Sequence, residues 1–220
     1  LWEYLADRPQ LGSMLELHRG IEWLHGQADA WRPDEAPGYR LGLHSAVGHA
    51  QYQAPRAVFL DCRPENMRAG AYKLPWSAPK LILNGARLSR YQWRLAASFD
   101  ADGLVCSQQF IGAWLNPSSE PSRLLGLMAI LNGPIANAFA ASFSSEGRFR
   151  LATLKKIPLP HSWPAGLERM VLRYLQKLRE RSEHIFHDDS DLAEDLTAMD
   201  SIVLESYGLP VRLERDLLQY

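Results

Sequence analysis

The longest hydrophobic stretch of the chain is residues 124–145, a run of 22 residues without a charge. It contains two sets of apolar residues at helical spacing: Leu124, Leu127, Met128 and Leu131, then Ile135, Phe139 and Phe143. Between them lie Gly133, which suits the end of a helix, and Pro134, which suits the first turn of the next one. The run is long enough to cross a bilayer. Its broken middle and the polar Asn137 instead predict two packed core helices and no membrane segment.

Short apolar segments separated by turn residues come before this run and predict β-strands. Residues 57–61 and 80–84 are compact apolar segments of strand length. Residues 11–24 are compatible with a short helix or a strand, and either element should end at Gly20.

A hairpin is predicted shortly before the helix pair. Residues 91–99 and 104–115 are strand-like, and the sequence Asp-Ala-Asp-Gly at 100–103 joins them. Asp and Gly tolerate positive φ and favour tight hairpin turns. Together with residues 80–84, these segments predict a three-stranded, mostly antiparallel meander.

The C-terminal part is predicted to be helical. Residues 147–160 have an extended pattern that ends at Pro160. Two helical patterns follow, and the second has Asp189 or Ser190 as its N-cap, acidic residues in its first turn and Gly208 near its end. The predicted fold class is therefore α+β: a mainly antiparallel sheet with a packed helix pair, followed by a C-terminal helical segment.

Composition and charge divide the chain at the start of this helical segment. Of 220 residues 46% are hydrophobic, which is enough to bury a core. Residues 1–162 carry 17 Lys and Arg and 13 Asp and Glu, whereas residues 163–220 carry 7 and 12. Residues 56–94 hold eight Lys and Arg and two carboxylates. We predict an α+β domain over 1–162 and a helical segment over 163–220 that packs on it or on a partner.

The sequence contains no recognisable catalytic motif. The phosphate-binding loop, the dinucleotide-binding glycine pattern and the nucleophile elbow are all missing. Cys62 and Cys106 are too few for a disulfide framework, which fits a reducing compartment and predicts a cytoplasmic protein. His184 and His187 have metal-compatible spacing, but a solvated helix end is the better interpretation. We predict no catalytic, metal or cofactor site in this chain.

The remaining candidate chemistry is basic. Residues 84–94 interleave arginines with aromatic and amide side chains, including Asn84 and Gln92. Arg and Lys bind phosphates, whereas Arg, Asn and Gln also read base edges. The alternative interpretation is a solvated strand edge with ordinary surface arginines. The predicted DNA-binding residues are Arg19, Lys73, Lys80, Arg87, Arg90, Arg94, Arg148 and Arg150.

Six segments, in this order along the chain, carry a family resemblance. They are LHRGIEW, PKLILNGARLSR, RLAASFDADGLVCSQQF, RLLGLMAILNGPIANAF, LKKIPLP and MDSIVLESYGL, and they fall within residues 11–209. Together they resemble the C-terminal target recognition domain, or specificity domain, of N-6 adenine DNA methyltransferases and of fused restriction–modification enzymes.

The resemblance implies recognition of double-stranded DNA. Such methyltransferases carry an Asn/Asp-Pro-Pro-aromatic tetrapeptide and a glycine motif for S-adenosylmethionine, and this chain has neither. The resemblance therefore covers only the DNA-reading part. It implies a catalytic methyltransferase domain or subunit as partner, with or without a nuclease, and S-adenosylmethionine bound there. The basic segment would face the duplex, and the acidic C-terminal helices would pack away from it.

Two other functions stay open. One is a stand-alone specificity subunit of a multi-subunit restriction–modification system, although such subunits usually carry two recognition domains and only one is visible here. The other is a protein-interaction module whose C-terminal helices bind a partner helix without any role on DNA. Salt-dependent duplex binding distinguishes both DNA-binding functions from this last one.

Overall fold

The computed structural model describes residues 1–24, 30–68, 70–89, 93–117, 119–144, 147–183 and 190–219. In these residues the strands are β1 (Leu15–Arg19), β2 (Trp31–Arg32), β3 (Tyr39–Leu43), β4 (Val58–Asp61), β5 (Lys80–Asn84), β6 (Ala97–Asp100), β7 (Val105–Cys106) and β8 (Phe110–Leu115). The α-helices of the same residues are α1 (Arg123–Asn132), α2 (Pro134–Phe143), α3 (Leu151–Leu154), α4 (Leu167–Glu183), α5 (Ser190–Tyr207) and α6 (Val211–Leu218). The predicted α+β class is confirmed.

Two small sheets form the β part of the fold. The first has the strand order β1-β8-β5-β6 and is antiparallel throughout. The second has the order β2-β4-β3-β7, in which only the short β3–β7 pair is parallel. Helices cover one face of the first sheet, and the second sheet covers its other face.

Strand β5 lies in the middle of this arrangement, and all five of its residues are buried. Side chains alternate between the two faces of a strand. Accordingly, Leu81 and Leu83 belong to the core shared with the helices, whereas Ile82 belongs to the core shared with the second sheet. Burial on both faces explains why this strand reads as a continuous apolar run.

The predicted hairpin between residues 91–99 and 104–115 is wrong. Strands β6 and β8 lie on opposite sides of β5, where Leu81 is paired with Phe99 on one side and with Ala113 on the other. The Asp100 carboxylate accepts hydrogen bonds from the backbone N–H groups of Asp102 and Leu104, at 3.1 and 3.0 Å. This turn directs the chain into β7 and the second sheet before it returns as β8.

Gly20 marks the predicted end of β1, and the structure shows why the strand stops there. The Gly20 N–H still bonds to the Phe110 carbonyl at 3.1 Å, but the next N–H, of Ile21, bonds to the Cys106 carbonyl at 2.7 Å. The chain thus passes from the first sheet to the second. A Cβ on Gly20 would lie 2.2 Å from the Cys106 and Ser107 carbonyl oxygens, so only glycine fits.

The predicted helix pair is confirmed, with α1 ending before Gly133 and α2 beginning at Pro134. No single helix among the described residues is long and apolar enough to span a membrane. The pair α1 and α2 together have the length and composition of a span, but they are bent by 57° at the break. Most of their residues are buried in the core that they share with the first sheet.

Residues 147–160 were predicted to be extended, and this is wrong for the helical turn α3. Phe149 lies two residues before this turn and Leu154 is its last residue, and both side chains are buried in the core shared by the first sheet and the helices. One turn of helix brings both side chains to the same side of the chain, whereas an uninterrupted strand of these residues would alternate them.

The C-terminal helices belong to the same core as the α1–α2 pair. Leu167 and Val171 of α4 and Val203 of α5 are buried in it. The hydroxyl of Tyr207 donates to the Pro158 carbonyl at 2.8 Å, which joins two of the segments that carry the family resemblance. Helix α6 had not been predicted. The boundary at residue 162 stays a prediction, and His184, His187 and Asp189 lie outside the described residues.

Candidate nucleic-acid interface

Five of the eight predicted DNA-binding residues lie on segments that are hydrogen-bonded to one another where β5 ends. The chain after β5 runs beside the segment that leads into α3: the Phe149 N–H bonds to the Gly85 carbonyl at 3.1 Å, and the Arg87 N–H bonds to the Gly147 carbonyl at 3.0 Å. An antiparallel bridge joins Ala86 and Arg148. We name this place the arginine corner; it consists of Arg19, Arg87, Arg94, Arg148 and Arg150.

Arg19 holds the two segments of the arginine corner together. Its guanidinium group donates to the Gly85 carbonyl at 3.4 Å and to the Phe149 carbonyl. Burial, together with the nearby charge of Arg148, lowers the pKa of Arg19. Two of its donor groups are therefore used inside the protein, and Arg19 serves first to position the corner.

Arg94 is brought to the same place by its backbone. The Arg94 carbonyl accepts from the Leu88 N–H at 3.0 Å and from the Asn84 side-chain amide at 2.7 Å. Its guanidinium reaches the Ala141 carbonyl, in α2, at 3.4 Å. The segments that carry Arg87 and Arg94 are thus hydrogen-bonded to each other.

The other members of the arginine corner differ in exposure. Arg148 and Arg150 are exposed, and Arg87 and Arg94 are half-buried. Three separate parts of the chain therefore place cationic side chains around one backbone junction. Guanidinium groups can bind phosphates bidentately.

Lys80 was predicted to bind DNA, and the structure contradicts this. Its side chain is 0% exposed and forms an ion pair with the buried carboxylate of Asp100. The same ammonium group donates to the Trp76 carbonyl at 2.7 Å. Lys80 lies at the opposite end of β5 from the arginine corner, and its positive charge is paired with Asp100 inside the protein.

Lys73 is exposed, but it does not lie in the arginine corner. It ends a short 3-10 turn, Ala71–Lys73, and the Ala71 carbonyl accepts from the Trp76 indole N–H at 2.8 Å. Because Trp76 also contacts Lys80, this turn belongs to the other end of β5. Lys73 as a DNA-binding residue stays a prediction.

Asn84, one of the two amides of the basic segment, does not act as predicted. Asn84 is buried, and its side chain bonds to the backbone of Ala86, Arg94 and Ala96, so it cannot read bases. Arg90 and Gln92 lie outside the described residues.

Sequence reasoning missed two further residues, Asn132 and Asn137, which hold the chain just after Arg94. The Asn132 side chain bonds to both the N–H and the carbonyl of Ala97, at 2.7 and 2.9 Å. The Asn137 oxygen accepts from the N–H groups of Arg94 and Leu95, both at 2.9 Å. The available signal was an amide in an otherwise apolar run, because a buried amide requires partners.

The described residues contain no cluster of three or more His, Cys, Asp or Glu side chains that could hold a metal ion. Burial raises the pKa of the Cys62 thiol to about 11, and it also raises that of Cys106. Both thiols are therefore protonated near neutral pH, which disfavours a nucleophilic role.

No protein-family model matches the sequence, and no curated protein matches it either. Several solved structures show similarity, among them the two that follow. One is a type IIL restriction–modification enzyme, MmeI, in complex with DNA: the match covers 60% of this chain and 19% of that chain, at 16% identity and a TM-score of 0.42.

The other is the HsdS subunit from Thermoanaerobacter tengcongensis, for which the match covers 90% of this chain and 44% of that chain, at 12% identity and a TM-score of 0.42. The chain spans less than half the length of either structure. The structural neighbours of this chain therefore include a restriction–modification enzyme and an HsdS subunit.

Proposed function

We propose that this chain binds double-stranded DNA as the target recognition domain of a bacterial restriction–modification system. The observation that carries the proposal is the arginine corner, where hydrogen bonds join the backbone segments that carry Arg87, Arg94, Arg148 and Arg150. The sequence resemblance to specificity domains of adenine methyltransferases supports the same function.

The backbone around these arginines is well suited to phosphate contacts. Hydrogen bonds between residues 85–88 and residues 94 and 147–149 fix the Cα positions from which the side chains project. Side chains that leave a rigid backbone lose less conformational entropy on binding than those on a mobile loop. Phosphate contacts set the register of a protein on the duplex, and base contacts then supply specificity.

The finer part of the proposal concerns the partner. A methyltransferase domain or subunit specific for adenine would bind S-adenosylmethionine and carry out the reaction, in the cytoplasm, with or without an attached nuclease. The present chain would supply recognition. Helix α5, which carries five carboxylates and no Lys or Arg, would lie away from the phosphates, because like charges repel.

The test is the salt dependence of binding to a fluorescein-labelled duplex of mixed sequence, measured by fluorescence anisotropy between about 50 and 200 mM salt. Each phosphate contact contributes a slope of about −0.9 to the plot of log affinity against log salt. Four arginine contacts predict a slope of about −3 to −4.

The triple variant Arg87→Ala, Arg148→Ala, Arg150→Ala should bind more weakly and reduce the slope by about 3. The matched control replaces three exposed arginines of the C-terminal helices, Arg169, Arg212 and Arg215, with Ala. It removes the same charge and should keep the wild-type slope. Equal losses in both variants would mean that only net charge matters, and no binding by the wild type would favour the protein-interaction function.

A further inference from the structure

The break between α1 and α2 presents two buried asparagines to the chain that carries Arg94. Helix α1 ends at Asn132, and Pro134, which has no N–H, begins α2. The last carbonyl groups of a helix lack partners within it. Here the Asn137 amide donates to the carbonyls of Asn132 and Gly133, both at 3.2 Å.

The other end of the Asn137 side chain reaches outward to the basic segment. Its oxygen accepts from the N–H groups of both Arg94 and Leu95. Asn137 is 2% exposed, so water does not compete for these bonds. One side chain therefore ties the break between the two helices to the backbone of Arg94.

Asn132 holds the same segment in a similar way at Ala97, three residues after Arg94. Its amide bonds to both backbone groups of Ala97 on the free edge of the first sheet. Asn84 completes the support from the other side, since it bonds to the Arg94 carbonyl and the Ala96 N–H. The stretch 94–97 thus takes most of its hydrogen bonds from buried amides and not from a neighbouring strand.

We infer that Asn137 is a positioning residue for DNA binding, which fixes the backbone from which Arg94 reaches a phosphate. The inference rests on the proposed function, and it assigns a role to the conspicuous Asn-Gly-Pro break and the asparagine that follows it. Loss of the Asn137 oxygen leaves the Arg94 and Leu95 N–H groups without their acceptor. The Arg94 guanidinium then loses its preset place in the arginine corner.

A double-mutant cycle between Asn137→Ala and Arg94→Ala tests the inference with the duplex assay described above, at a temperature where every variant is folded by circular dichroism. Arg94→Ala should reduce the salt slope by about one. Asn137→Ala should do the same, and the double variant should lose no more than either single variant, because both remove one contact. Simple destabilisation of the fold does not change the salt slope of the protein that remains folded.

Two further variants sharpen the result. Asn137→Asp keeps an oxygen acceptor for the two N–H groups and should keep more of the wild-type slope than Asn137→Ala. The matched control is Asn116→Ala. It removes an amide that donates to the Ser13 carbonyl at 2.8 Å, beside the start of β1 and away from Arg19 at its end. This variant should bind the duplex as the wild type does. If Asn137→Ala does not fold, Asn137→Ser enters the cycle in its place.

The outcomes separate the inference from the proposed function. Additive losses in the cycle, or a wild-type slope in the folded Asn137 variant, overturn the positioning role while leaving DNA binding intact. A wild-type slope for Arg94→Ala overturns the inference too, because Arg94 then makes no contact to be positioned. Absence of salt-dependent binding by the wild type overturns the proposed function itself.

Discussion

Replacement of Lys80 gives the sharpest contrast between what the sequence predicted and what the structure shows. Lys80 was predicted to contact DNA, yet its ammonium group is buried between Asp100 and the Trp76 carbonyl. Lys80→Ala should therefore reduce the stability of the protein and leave its DNA binding unchanged. A phosphate-binding surface lysine would show the reverse.

The magnitude follows from the groups that Lys80 leaves behind. Removal of one partner of a buried ion pair typically costs about 3–5 kcal/mol. Asp100 keeps its bonds from the Asp102 and Leu104 N–H groups, which partly compensate its charge. We therefore expect the lower end of that range, about 3 kcal/mol.

Urea unfolding followed by tryptophan fluorescence measures this loss as a lower midpoint with an unchanged slope. The control Lys73→Ala removes an exposed lysine and should stay within about 0.5 kcal/mol of the wild type. Lys80→Met combined with Asp100→Asn should be more stable than Lys80→Met alone, since no buried charge is left unpaired. A Lys80→Ala protein of wild-type stability with a reduced salt slope would refute this reasoning.

Three further predictions concern stability and pH. Phe139→Ala removes a buried ring of α2 and should lower the free energy of unfolding by about 3–5 kcal/mol. Phe143 is 49% exposed, so Phe143→Ala should lower it by about 1 kcal/mol. Equal losses for the two variants in urea unfolding would show that the packing of the helix pair is wrong. Gly20→Ala puts a methyl group 2.2 Å from two carbonyl oxygens and should lower the free energy of unfolding by more than about 2 kcal/mol. Gly147→Ala adds a Cβ with no atom within 4 Å and should leave stability nearly unchanged. Similar urea midpoints for the two variants would contradict the close packing at Gly20. Burial raises the pKa of Asp200 from 3.8 to about 6, so the folded state binds the proton more tightly than the unfolded state and stability falls as pH rises between these values. Asp200→Asn should flatten this part of the profile of unfolding free energy and stabilise the protein at pH 7 by about 1 kcal/mol; a profile identical to that of the wild type would show that Asp200 does not titrate in this range.

Features that depend on neighbours along the chain were predictable. The spacing of Leu124, Leu127 and Leu131 makes one face of a helix apolar wherever the helix packs, and Gly133 and Pro134 interrupt it through their own backbone preferences. The α+β class followed from such local patterns, and so did the end of β1 at Gly20. The concentration of positive charge in the middle of the chain was likewise visible in the sequence.

The partners of each strand depended on contacts between distant residues. Asp-Ala-Asp-Gly is compatible with a hairpin, but β5 offers both of its edges, and β6 pairs with one edge while β8 pairs with the other. The bonds from Asp100 to the N–H groups after it then turn the chain toward the second sheet. Turn chemistry alone could not distinguish these two pairings.

The same limit applied to the candidate site. Residue type identifies Lys80 and Arg148 equally as cations, but only the position of Asp100 makes one of them a buried partner and leaves the other at the surface. The sequence by itself determined the α1–α2 helix pair with its break, the end of β1 at Gly20 and where positive charge accumulates, because these properties follow from residues close together in the chain. The tertiary structure decided which arginines meet and which amides hold them, because burial and pairing arise only when distant segments pack.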